Sequence, residues 1–152
     1  ELYRHVPILD SGARGATTTF CQRRQGDVLL AWENEAFLAL QEFPEAGFEI
    51  VVPSLSMRAE PPVALIDAVA DARGTRAAAE AYLRFLYSET GQKLAARHFY
   101  RPAYPEQADP DDLKRFSDLH LVDIDVAFGG WARAQQEHFE ENGVFDQIMT
   151  RK

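Results

Sequence analysis

The residues with the clearest chemical potential lie in Asp10-Ser11-Gly12-Ala13-Arg14-Gly15-Ala16-Thr17-Thr18-Thr19-Phe20 and, further on, in Gly26-Asp27-Val28-Leu29-Leu30-Ala31-Trp32-Glu33-Asn34-Glu35. A short apolar run at 6–9 leads into a tight Gly-X-X-Gly turn and a helix start. Such a turn aims several backbone N–H groups at whatever lies beyond the strand end, which suits an anion. Trp32 adds an indole that donates a hydrogen bond and accepts none.

Other chemistries are less well served. The 12–15 segment lacks the Gly-Lys-Ser/Thr ending of a nucleotide-binding loop. Ser11 could be combined with His5, His98, His120 or His138 and an aspartate into a triad, yet no Gly-X-Ser-X-Gly elbow surrounds it. Glu137, His138, Glu140 and Glu141 could present metal ligands on a helix, but with no second ligand cluster they read as a solvated acidic face, so no metal is expected. Cys21 is the one cysteine and cannot form an intrachain disulfide; it reads as a small buried hydrophobe. Trp131 and Phe139 read as packing aromatics of the last helix.

The elements that must position these residues follow from periodicity. Strands are predicted at 6–9, 27–31, 48–52 and 63–66, and helices at 13–22 and 33–41, a βαβαβ pattern that points to an α/β fold with a largely parallel sheet. The clearest helix is predicted over 76–87, with Thr75 as its cap and Ala79, Tyr82, Leu83 and Leu86 at i, i+3, i+4, i+7. A second, over 89–98, follows directly. Pro102, Pro105 and Pro110 mark an irregular connector before a short helix near 111–117. A strand is predicted at 120–122, a turn at Gly129-Gly130, and a helix from Trp131 to Glu141 stopped by Asn142-Gly143.

Composition bounds the function. With 152 residues, 46% of them hydrophobic, the chain can bury a sizeable core as a soluble globular piece. Its net charge of −8 argues against nucleic acid and anionic membrane surfaces, which call for a basic face. An acidic chain that holds a dianion must do so through local dipoles. No run approaches the ~18–20 apolar residues of a membrane span, and no basic-then-apolar signal segment opens the chain.

The Gly12-Ala13-Arg14-Gly15-Ala16-Thr17-Thr18-Thr19-Phe20 run, the Gly26-Asp27-Val28-Leu29 strand and the Trp32-Glu33 pair resemble the periplasmic sulfate-binding proteins of ABC-type importers. The resemblance continues in order through Ala59-Glu60-Pro61-Pro62-Val63-Ala64, Ala81-Tyr82-Leu83, Leu86-Tyr87-Ser88, Tyr100-Arg101-Pro102, Phe128-Gly129-Gly130-Trp131, His138-Phe139 and Gly143-Val144-Phe145-Asp146. Members of that family are longer, with two lobes around a cleft. The chain resembles their C-terminal half, and their first-lobe serine contact and Ser-Gly-Gly loop have no counterpart here.

The resemblance implies part of a periplasmic-binding-protein-like (type II) two-lobe fold, with a mixed, mostly parallel sheet and flanking helices. It implies that residues 1–47 form the C-terminal portion of the second lobe with part of the anion site, 48–66 the crossing strands between lobes, and 67–152 a return portion with C-terminal helices. A hinge is then expected around 53–60.

It further implies a non-catalytic, periplasmic receptor that binds sulfate without a cofactor and passes it to a membrane permease. Gly12, Ala13, Arg14, Gly15 and Trp32 would line the ligand. Ala13 would give its amide N–H and Trp32 its indole N–H, while Arg14 would lie close by and donate to backbone carbonyls or to the site's hydrogen-bond array; the sequence alone also allows a direct Arg14–anion contact, which the family's mode of binding does without. Sulfate at neutral pH carries no proton and only accepts hydrogen bonds, so donor-only groups favour it over phosphate, whose proton would go unpaired. Thiosulfate and other oxyanions of similar size meet the same requirement. The alternative from another class is a small α/β hydrolase with Ser11 as nucleophile, which needs a histidine within ~3 Å of its hydroxyl. A missing N-terminal half or a second copy of the chain is the expected partner, because half of a two-lobe protein exposes sheet edges and apolar surface.

Overall fold

Four of the chain's α-helices form where local sequence favours them. The computed structural model describes residues 2–150, with α1 at Ala13–Cys21, α2 at Glu33–Glu42, α3 at Asp67–Ala72, α4 at Arg76–Leu86 and α5 at Glu89–Arg97. Of these, α1, α2, α4 and α5 match the predicted helices to within a residue at each end, and α3 was not anticipated. Later come α6 at Pro110–Leu113, α7 at Ile124–Phe128, α8 at Trp131–Ala134 with a π-helical turn over Gln135–Phe139, and α9 at Val144–Met149. The helix expected over 111–117 is thus only one turn long. The helix expected over 131–141 widens from its α-helical start into the π-helical turn and ends before Asn142.

The chain packs as two compact units. One gathers the chain up to Ala31, Glu45–Ala59 and the chain from Leu119; the other gathers Trp32–Pro44 and Glu60–Asp118.

In the first unit α1 is rich in β-branched residues, which lose rotamer freedom in a helix. Their hydroxyls compensate: Thr17 Oγ1 donates to the Ala13 carbonyl (3.1 Å), Thr18 Oγ1 to the Arg14 carbonyl (2.9 Å), and Thr19 Oγ1 to Asp10 Oδ1 (3.3 Å). Thr17, Thr19 and Cys21 form the buried face, and Phe20 stacks on Phe48 at 5.2 Å. Cys21 is buried, as expected for a small hydrophobe.

The sheet of this unit is a two-stranded parallel ladder, β1 (Leu55–Met57) beside β2 (His120–Val122), with Leu55 opposite His120 and Met57 opposite Val122. The Arg58 amide extends it by donating to the Val122 carbonyl (3.0 Å), and the Arg58 guanidinium meets Asp123 at 3.3 Å. The strand at 120–122 was predicted. Its partner lies in the segment read as a mere connector between hinge strands.

The four strands predicted at 6–9, 27–31, 48–52 and 63–66 do not form ladders among the described residues. Apolar runs favour extended backbone, but a strand exists only when a neighbouring strand pairs with it, and among the described residues these runs lie beside no such strand. Their side chains stand open: Val28 is 78% exposed, Val51 82%, Val63 64%. The α/β class holds, with helices dominating and the sheet small.

The second unit is helical. The α4–α5 corner is its best-made part: Ser88 Oγ accepts from the Gly91 amide (3.1 Å) and donates to the Phe85 carbonyl (2.7 Å), capping α5. Gly91 is required there, since a Cβ would fall 2.2 Å from the Phe85 carbonyl oxygen. Gln92, buried, joins the Leu86 carbonyl (2.7 Å) to the Tyr104 amide (2.8 Å). Thr75, predicted to cap α4, makes no side-chain cap. Arg76 holds this end instead, bridging Asp71 and Asp67 at 2.6 Å each. The apolar side chains buried most fully in the described residues are small: Cys21, Ala39, Ala70, Ala96, Ala108 and Ala134.

Candidate anion-binding site

The first group of candidate residues opens α1. Gly12 is its N-cap, with extended backbone (φ −172°, ψ 164°), and its carbonyl accepts the first helical bond from the Ala16 amide at 3.0 Å. Neither Gly12 nor Gly15 takes a left-handed conformation, so the tight turn read from Gly-X-X-Gly is corrected: Gly12 is a helix cap and Gly15 lies inside the first turn. Gly12 instead leaves the helix without the capping oxygen that Ser, Thr, Asn or Asp would place over its first amides. A Cβ on Gly12 would meet nothing within 4 Å, so open space lies in front of that turn. Ala13 and Arg14 complete it, contributing backbone amides and the positive end of the dipole.

Asp10 was not singled out in the sequence. Its side chain lies alongside the turn, 3.5 Å from where a Cβ on Gly15 would stand, and its Oδ1 accepts from Thr19 Oγ1 (3.3 Å). Ser11 makes no hydrogen bond to His5, His120 or His138 among the described residues. Nor do three or more His, Cys, Asp or Glu side chains gather there into a cluster able to hold a metal ion.

Trp32 belongs to the second unit and stands by itself there as the N-cap of α2 (φ −63°, ψ 148°), its carbonyl accepting from the Ala36 amide at 3.1 Å. Trp32 is 57% exposed, so its side chain is not spent inside a core. The structure therefore groups Gly12, Ala13, Arg14 and Gly15 at one helix start and places Trp32 at another.

What fixes the start of α2 was legible only as the Tyr100-Arg101-Pro102 motif. Arg101 forms a two-pronged ion pair with Glu33, Nε to Oε2 at 2.6 Å and Nη2 to Oε1 at 2.8 Å. Its Nη2 also donates to the Ser117 carbonyl (2.7 Å), and its guanidinium lies 5.2 Å from the Phe116 ring centre. Hydrogen bonding to Glu33 pushes the Arg101 guanidinium up from its ordinary value, keeping it charged. Asn34 Nδ2 donates to the Tyr100 hydroxyl (3.4 Å), and Phe37 packs against Phe99 (5.7 Å) and Phe116 (5.9 Å).

Comparison with known proteins agrees with these motifs. Over residues 1–101 the chain matches the family described as bacterial extracellular solute-binding protein. It is 52% identical over 154 residues to the sulfate-binding protein of Salmonella typhimurium and 53% identical over 150 residues to that of Escherichia coli. It is 47% identical over 150 residues to the thiosulfate-binding protein of Pseudomonas aeruginosa. Each alignment covers 99% of this chain and 45% of the relative, so the chain spans about half the length of the curated relatives it matches. This chain belongs to the bacterial extracellular solute-binding protein family.

Proposed function

We propose that these residues are the anion-contacting C-terminal part of a periplasmic sulfate receptor, which binds its ligand unchanged and delivers it to the permease of an ABC-type importer. The observation that carries this reading is the pair of helix starts that offer donors and no capping acceptor: the Gly12-capped turn of α1 and the exposed Trp32 indole at α2. Both suit a fully deprotonated oxyanion. The −8 net charge requires such local dipoles to do the binding.

The two-lobe type II fold belongs to the same proposal, with 1–47 and 67–152 contributing to lobes and 48–66 crossing between them. Apolar runs at 27–31, 48–52 and 63–66, which join no ladder among the described residues, support it, because each has the character of a strand whose neighbour lies in further polypeptide. Sulfate is the first choice of ligand, on the names of relatives 52% and 53% identical to this chain. Thiosulfate is the second reading, favoured by the relative at 47%.

The test is a calorimetric titration of the full-length protein with sulfate, thiosulfate and phosphate at pH 7. Sulfate is expected to bind at least about a hundredfold more tightly than phosphate, because only phosphate brings a proton that no acceptor receives. Equal affinities would overturn the donor-only site, and tighter thiosulfate binding would decide for the second ligand.

A further inference from the structure

The Trp32 ring is more than half exposed, so packing around the ring does not set its direction; the backbone beneath it must. That backbone is held at the adjacent residues. Glu33 receives both prongs of Arg101, Asn34 reaches the Tyr100 hydroxyl, and one turn on Phe37 packs between Phe99 and Phe116. Arg101 is itself fixed from three sides, by Glu33, by the Ser117 carbonyl and by the Phe116 ring. We infer that Arg101 is a positioning residue for the oxyanion site, acting at a distance from the ligand by locking Glu33 and thereby the direction of the Trp32 indole N–H. The inference rests on the reading that Trp32 contacts the anion.

A planar guanidinium is the group suited to this task. Its two parallel bonds to one carboxylate fix orientation as well as distance, and its third donor reaches a carbonyl that an ammonium on a flexible stem would not meet at the same time. The clamp joins three stretches of chain within one unit: the start of α2, the segment after α5 and the segment after α6. Losing it would free the first turn of α2 while leaving the helix in place. The anion would then bind only after ordering the indole.

The experiment measures sulfate affinity and indole mobility in the full-length protein with 15N-labelled tryptophan, the Trp32 signal being assigned by its absence in Trp32→Phe. Arg101→Met and the milder Arg101→Lys are compared with the parent, each alone and combined with Trp32→Phe. Arg101→Met is expected to lower the heteronuclear NOE of the Trp32 indole and weaken sulfate binding about three- to tenfold. Arg101→Lys should do less of both, and neither should weaken binding further once Trp32 is Phe. Glu33→Gln, which keeps the side chain's shape and weakens the clamp from its other side, should reproduce the loss of indole order. An unchanged indole NOE in Arg101→Met, or an equal affinity loss with and without Trp32, would overturn the positioning role. Unchanged affinity in Trp32→Phe alone is a different result, which removes the tryptophan from the site and the inference with it.

Discussion

Gly12 shows what a single residue contributes by lacking a side chain. An extended N-cap with open space before it accepts any residue sterically, and Asp there would hydrogen-bond the first-turn amides. Gly12→Asp is therefore expected to stabilise the fold slightly, by ~0.5 kcal/mol, while sharply weakening sulfate binding through a carboxylate in the anion's place. Thermal melting and titration of the same variant check the two opposite signs; a gain or no change in affinity would place the anion elsewhere. In the sequence, Gly12, Ala13, Arg14 and Gly15 stood out because a helix start is local. The backbone role of Gly12 was legible as donor chemistry but was misread as a turn, since φ depends on how α1 docks. Arg101 stood out only as part of a motif, because its partner Glu33 is 68 positions away in the chain.

At the scale of elements, helices were readable and strands were not. The 3.6-residue pattern of Ala79, Tyr82, Leu83 and Leu86 needs no distant partner, and α4 forms where expected. The apolar runs at 27–31 and 48–52 need a neighbouring strand, which local sequence does not supply. The α4–α5 corner depends on one close approach. Gly91→Ala would drive a methyl into the Phe85 and Leu86 carbonyls, 2.2 and 2.8 Å from the Cβ position, and should cost about 1–3 kcal/mol in urea denaturation. Stability within 0.3 kcal/mol of the parent, by contrast, would mean that the corner relaxes freely.

The α3–α4 junction carries an acid-sensitive contact. Hydrogen bonding to Arg76 holds the Asp71 carboxyl below its usual range, so the contact is fully present above the unfolded carboxylate pKa. Its contribution disappears as pH falls through the depressed folded value, on the acid side of ~4. Both groups are solvent-exposed, so the loss is expected to be small and to vanish in Asp71→Asn. Helicity followed from pH 7 to 2 in the two proteins checks this.

The whole molecule leaves much apolar surface uncovered. Val28, Val51, Val126, Ile66 and Trp131 are each more than 60% exposed, while the fully covered apolar side chains are small. Surface of that kind is normally satisfied by more polypeptide. The 152-residue chain on its own is therefore expected to self-associate, or to retain a second polypeptide through purification, and to sediment faster than its monomer mass. A monodisperse monomer at high concentration would contradict this. The resemblance carries the same expectation, since the matched relatives extend to about twice this length.

The proposed receptor function turns on whether the Trp32 indole touches the anion. Calorimetric titration of the full-length protein and its Trp32→Phe variant with sulfate tests that most directly, because Phe keeps much of the ring's bulk and removes the donor. Losing one hydrogen bond to a dianion forfeits roughly 1.5–3 kcal/mol, so affinity is expected to fall about ten- to a hundredfold with the melting temperature unchanged. The same affinity in both proteins would remove Trp32 from the site and contradict the donor-only account of binding.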